Sequence, residues 1–144
     1  MLKAALLATA LIGLFLSPAL AADQEMIAED DGQIVFAMPS GNIGCIYTPE
    51  GGTDTYQPAD GGPEISCDRI EPSYVQISMG PDGEVTRIDD PGEQGCCGAD
   101  QVFAYGNQAS FPGFICYSET TGLVCETDDS EHGFLVSKAK IHDW

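Results

Sequence analysis

Apolar and polar positions alternate in short bursts along this chain. Past the first 21 residues, no run of ten or more positions carries a helical period. Residues 33–38 (QIVFAM) set Ile34 and Phe36 on one face, and residues 43–48 (IGCIYT) make a second short strand. The Pro-Ser-Gly-Asn at 39–42 joins the two as a hairpin turn. Further strands are predicted over 65–70, 74–79, 84–88, 114–117 and 123–126. The Pro-Asp-Gly at 81–83 makes the clearest hairpin turn, and Ser-Glu-Thr-Thr-Gly at 118–122 makes another. Residues 102–105 read as either a strand or a short helical turn. Residues 133–141 (GFLVSKAKI) read as one last strand whose Lys138 and Lys140 protect an exposed edge or simply solubilise the chain end. Residues 49–64 (PEGGTDTYQPADGGPE) hold two Gly-Gly pairs and three prolines and are loop. The fold class expected is mostly β: a small disulfide-braced antiparallel barrel or sandwich with long Gly/Pro-rich loops.

The first residues change the picture of where this domain works. Met1-Leu2-Lys3 leads into an apolar run ending near Leu16, and Ala19 and Ala21 follow a Ser-Pro break. That is the pattern of a secretory signal peptide over 1–21, and the run is too short for the roughly 20 residues of a membrane span. Residues 22–32 (ADQEMIAEDDG) then form an acidic arm, either frayed or making a first turn, and 33–144 form a single β domain. The expected location is the periplasm or the extracellular medium. All six cysteines (Cys45, Cys67, Cys96, Cys97, Cys116 and Cys125) lie beyond the signal, and an even count in an exported chain points to disulfides. Their spacings do not fit the paired ligands of a structural zinc site. Cys116 with Cys125 suits a cross-strand bond on one hairpin, and Cys45 with Cys67 would close the long loop. Cys96 and Cys97 then either form a strained vicinal bond, a redox switch in an oxidoreductase, or pair with distant partners.

Charge is the strongest compositional fact. The chain has 23 acidic and 5 basic residues, a formal net charge of -18, and loss of Lys3 with the signal makes it one unit more negative. Nucleic acid is excluded as a partner, because binding depends on Lys and Arg at phosphates, and anionic lipid is disfavoured alike. The acidity either attracts a cationic protein by complementary fields or is a solvated face suited to salt.

Specific chemistry is sparse. Gly41-Asn42-Ile43-Gly44 has the glycines of a phosphate loop but neither the lysine nor the following helix, so it reads as a turn. No serine lies in a Gly-x-Ser-x-Gly elbow. His132, set among acids in DDSEHG, is the candidate general base of a hydrolase or a polar turn residue; His142 lies near the terminus. The acidic clusters at 89–93 and 128–131 allow weak calcium binding but match no dedicated calcium loop. No catalytic residue, resident metal or cofactor is assigned. Tyr47 and Tyr56, flanking or lying on the 49–64 loop, are the candidate contact aromatics, with His132 as a further surface candidate.

The order PSGNIGC, SCDRI, CGAD, YG, GFICYS, GLVC and HGFLVSK resembles an uncharacterised family of small exported bacterial domains, over about 36–138. The resemblance rests on Ser40, Gly41, Asn42, Ile43, Cys45, Cys67, Asp68, Gly98, Asp100, Tyr105, Gly106, Phe114, Cys116, Gly122, Cys125, His132, Gly133 and Phe134. The family pattern places a cysteine between the Cys67 and Cys97 positions, well before the latter; this chain lacks it there and carries Cys96 instead. The resemblance implies no activity. The functional expectation is an exported, non-enzymatic binding or inhibitor-like module. The alternatives are a small secreted hydrolase using His132 with a carboxylate, or a structural envelope-associated protein.

Overall fold

The alternating runs become eleven strands among the described residues, with two antiparallel meanders as the scaffold. The structure is a computed structural model describing residues 19–93 and 98–144. The N-terminal apolar run read above as a signal peptide and the Cys96/Cys97 pair lie outside the described residues.

The first meander runs through β2 (Ile34–Ala37), β3 (Ile43–Thr48), β4 (Glu64–Arg69), β5 (Val75–Met79) and β6 (Val85–Asp89), all antiparallel and in sequence order. The second uses β1 (Ala22–Asp23), β7 (Asn107–Phe111), β8 (Phe114–Glu119), β9 (Gly122–Thr127), β10 (Gly133–Val136) and β11 (Ile141–Asp143). They lie in the order β1-β7-β8-β9-β10-β11, with β1 parallel to β7. The two sheets form a β-sandwich, braced among the described residues by two disulfides.

Both sheets carry the same inner row. Phe36, Cys45, Cys67 and Ile77 sit opposite one another across β2 to β5; Ala109, Cys116, Cys125 and Phe134 do so across β7 to β10. All eight are buried. Each disulfide therefore joins directly opposed residues, Cys45–Cys67 and Cys116–Cys125, both with Cα atoms 4.1 Å apart. Both pairings follow from hairpin geometry, which brings such positions within bonding reach.

Aromatic rings fill the space between the sheets. Tyr47 of β3 stacks on Phe111 of β7 at 5.4 Å, and Phe36 of β2 stacks on the same ring at 5.6 Å. Phe103 meets Phe36 edge-on at 5.6 Å. Each buried ring of this kind stabilises the fold by about 1.5–3 kcal/mol through removal of apolar area from water.

Several elements differ from the pattern read in the sequence. Residues 22–32 do not hang free: the Gln24 side chain donates to Val102 O at 2.8 Å and accepts from Ala104 N at 3.0 Å. Ile27 N donates to the Gln101 side chain, so long-range polar bonds hold this acidic segment. Residues 102–105 are neither strand nor helical turn; Val102 makes one parallel bridge to Ala37, while Phe103 is buried. Strand β7 (NQASF) escapes a hydrophobic reading because only Ala109 and Phe111 of its residues face the core. The last predicted strand is two. Ser137 Oγ accepts from Lys140 N and donates to Lys140 O, both at 3.1 Å, closing a turn between β10 and β11. Lys138 and Lys140 thus stand in a turn, not along an edge, and the sheet edge is β11. No helix among the described residues is long and apolar enough to cross a membrane.

Candidate functional site

Alternation along β3, β4 and β5 puts one set of side chains in the core and the other on an outer sheet face. The register aligns Val35, Ile46, Ser66, Ser78 and Thr86 in one outer row, and Thr48 opposite Glu64 beside it. A groove of about 360 Å³ runs over this face, walled by Gln33, Thr48, Tyr56, Glu64, Gln76 and Ser78 among others. An adjoining hollow of about 220 Å³ shares Glu64 and Ser78 and adds Asp60, Asp82 and Glu84. Among the described residues, no basic side chain lines either concavity.

Local turn chemistry holds these acids in place. Asp60 Oδ1 accepts from Gly62 N at 3.0 Å, and its other carboxylate oxygen lies directly over Gly80, where a Cβ would collide with it. Asp82 Oδ1 accepts from Glu84 N at 3.0 Å in the β5–β6 turn. Tyr56 leans from the 49–64 loop and donates its phenol to Glu64 Oε1 at 2.8 Å, leaving the residue 46% exposed. Burial of the phenol, with the Glu64 hydrogen bond and the charges of Glu64 and Asp60, pushes its pKa up to about 12. Tyr56 therefore remains a neutral donor at physiological pH, and its ring is a fixed platform.

Tyr47 is not a surface contact. It shares the inner parity of Ile43 and Cys45 on β3, is buried between Phe111 and Phe114, and donates to Pro112 O at 3.4 Å. That parity was a signal available in the sequence. Asp60, Asp82 and Glu84 had no such signal, since they come from two turns about 20 residues apart.

A third concavity of about 440 Å³ opens at the other end of β3, between the 39–42 turn, the β8–β9 turn and the β10–β11 turn. The motif PSGN forms one lip. Asn42 Nδ2 donates to Glu71 O at 3.0 Å, and Asn42 Oδ1 accepts from Glu71 N at 2.7 Å. Ser40 Oγ accepts from Asn42 N at 3.2 Å. Gly41 has φ +70°, a backbone conformation that suits glycine. The motif is a structural clamp between two loops.

His132 is exposed, its ring lies against the backbone of Gly83, and it lines none of the three concavities. The nearby Asp129 accepts from Thr127 Oγ1 at 2.6 Å and Glu131 N at 3.0 Å, and these bonds, with a smaller contribution from the charge of His132, hold its carboxyl below the usual carboxylate range. Asp89 of the other acidic cluster pairs with Arg87 at 2.8 Å. No group of three or more His, Cys, Asp or Glu side chains among the described residues is arranged to hold a metal ion. In comparisons with known proteins, no family model, curated protein or solved structure matches this chain.

Proposed function

We propose that this protein is an exported, non-enzymatic binding module that captures a cationic protein on the outer face of its five-stranded sheet. The observation that carries this reading is Tyr56, exposed yet hydrogen-bonded to Glu64, in a groove that adjoins a hollow lined by four carboxylates and shares Glu64 with it. A lysine or arginine side chain entering that hollow would meet charge from Asp60, Glu64, Asp82 and Glu84 while its stem packs on the Tyr56 ring. Aromatic anchors at the centre of an interface are where binding energy concentrates. The net charge of -18 adds long-range attraction for a basic partner. The Cys45–Cys67 and Cys116–Cys125 disulfides fit an oxidising compartment.

The test is capture of cationic lysozymes and basic envelope proteins by the oxidised mature protein, at about 0.05 M and 0.5 M salt. A single partner retained at high salt, one to one, is the expected result. Tyr56→Ala should then weaken it about 30-fold, the roughly 2 kcal/mol of an interface hot spot. Indiscriminate capture that disappears at high salt and ignores Tyr56→Ala would overturn the proposal.

A further inference from the structure

The cleft at the far end of β3 has chemistry opposite to that of the acidic face. Its floor is apolar, formed by the buried Met38 and Ile43, with the half-exposed Tyr105 as one wall. Lys138 and Lys140 stand on its rim. The chain has 23 carboxylates and five cationic side chains, so these two lysines have acids in abundance to pair with. Yet neither makes an ion pair among the described residues. The other described cations are occupied: Arg87 pairs with Asp89, and Arg69 is buried and donates to Ser73 and Ser137.

The turn that presents the lysines is rigidly built. Ser137 bonds Lys140 through its hydroxyl, and its backbone N donates to Lys140 O at 2.9 Å. From the opposite sheet, Arg69 Nη1 donates to Ser137 O at 3.2 Å in a buried contact. A buried guanidinium thus anchors the turn, and little ordering remains to oppose binding. Among the described residues Glu119 is the one acid on the rim, so these residues give it a local excess of one positive charge. Screening over about 8 Å at physiological ionic strength lets that local excess act within a strongly acidic protein.

We infer that this cleft binds a small amphiphilic carboxylate, its acyl or aryl body on Met38, Ile43 and Tyr105 and its head group between Lys138 and Lys140. The volume of about 440 Å³ lies in the ordinary range for small-molecule sites, and an apolar floor with few convergent polar groups is their usual build. The inference is independent of the acidic face, because the two sites lie at opposite ends of β3 and share no lining residue.

Octanoate and octanol provide the test, as charged and neutral probes of the same apolar body. Octanoate titrated into the oxidised mature protein should bind saturably, with NMR shifts at Tyr105, Lys138 and Lys140. Octanol should bind at least about tenfold more weakly, and Lys138→Gln with Lys140→Gln should erase that preference. Glu119→Gln should tighten octanoate about two- to threefold by removing the opposing charge. Both lysines are exposed, and unchanged thermal unfolding of the double variant would show that the fold is retained. Absence of saturable octanoate binding, equal affinity for octanol, or affinity unchanged in the double lysine variant would overturn the inference.

Discussion

Cys45–Cys67 and Cys116–Cys125 occupy equivalent places in their sheets, which permits a controlled comparison between the two bonds. Replacing Cys45 and Cys67 together by alanine, and separately Cys116 and Cys125, removes buried sulfurs from the same inner row in each case. The cavity left behind is similar, so the difference between the pairs reports the chain closed by each bond. Those closures span 22 and 9 residues. Loop-closure entropy then gives ~3.4 kcal/mol for Cys45–Cys67 and ~2.6 kcal/mol for Cys116–Cys125. Either loss is a substantial part of the about 5–15 kcal/mol by which a domain this size is stable. Urea unfolding of the three proteins, with free energies compared at the parent's transition midpoint, checks the order. The 45/67 variant should unfold first, by about 0.8 kcal/mol relative to the 116/125 variant. It should also expose the 49–64 loop to proteolysis before global unfolding, because that loop lies inside the bond it loses. If the 116/125 variant is the less stable, chain closure does not govern these bonds and the reasoning fails.

Glu64→Gln should bring the Tyr56 phenol down from about 12, because the carboxylate is both its hydrogen-bond acceptor and a nearby negative charge; ultraviolet titration of the tyrosines reads this, and an unshifted curve refutes the contact. Asp68 is buried, and burial raises its carboxyl pKa despite hydrogen bonds from Tyr74 and Gln76. An acid raised in the folded state contributes stability at low pH that is lost as pH rises through its folded pKa, so Asp68→Asn should raise the Tm at pH about 7 and lose that advantage below pH about 4. A Tm gain equal at both pH values would contradict this. Gly133→Ala should destabilise by about 1–3 kcal/mol, because a methyl there meets the Trp144 ring at 2.6 Å and Cys125 O at 2.7 Å; an unchanged Tm would refute that packing.

Much of this architecture is legible in the chain because it is local. A period of two marks β2 to β5, β8 and β9, and Gly, Pro, Asn and Asp mark the turns between them. Cys116 and Cys125 lie on one hairpin, and Cys45 and Cys67 on neighbouring strands, so short-range pairing alone brings each couple together. The inward face of Tyr47 was implicit in the same alternation.

Contacts between segments distant in sequence had no comparable mark. The parallel pairing of Ala22–Asp23 with β7 joins segments 85 residues apart and depends on Gln24 reaching backbone groups near Val102. The five-stranded sheet alone brings Asp60 over Gly80, beside Asp82 and Glu84. Only the packing of one sheet on the other carries Lys138 and Lys140 to the floor made by Met38 and Ile43, with Arg69 reaching across to hold their turn. The sequence by itself determined which residues alternate and where the chain turns, because those preferences act between near neighbours. The tertiary structure decided which charges meet, because a surface is assembled from loops whose positions depend on the closure of the whole sandwich.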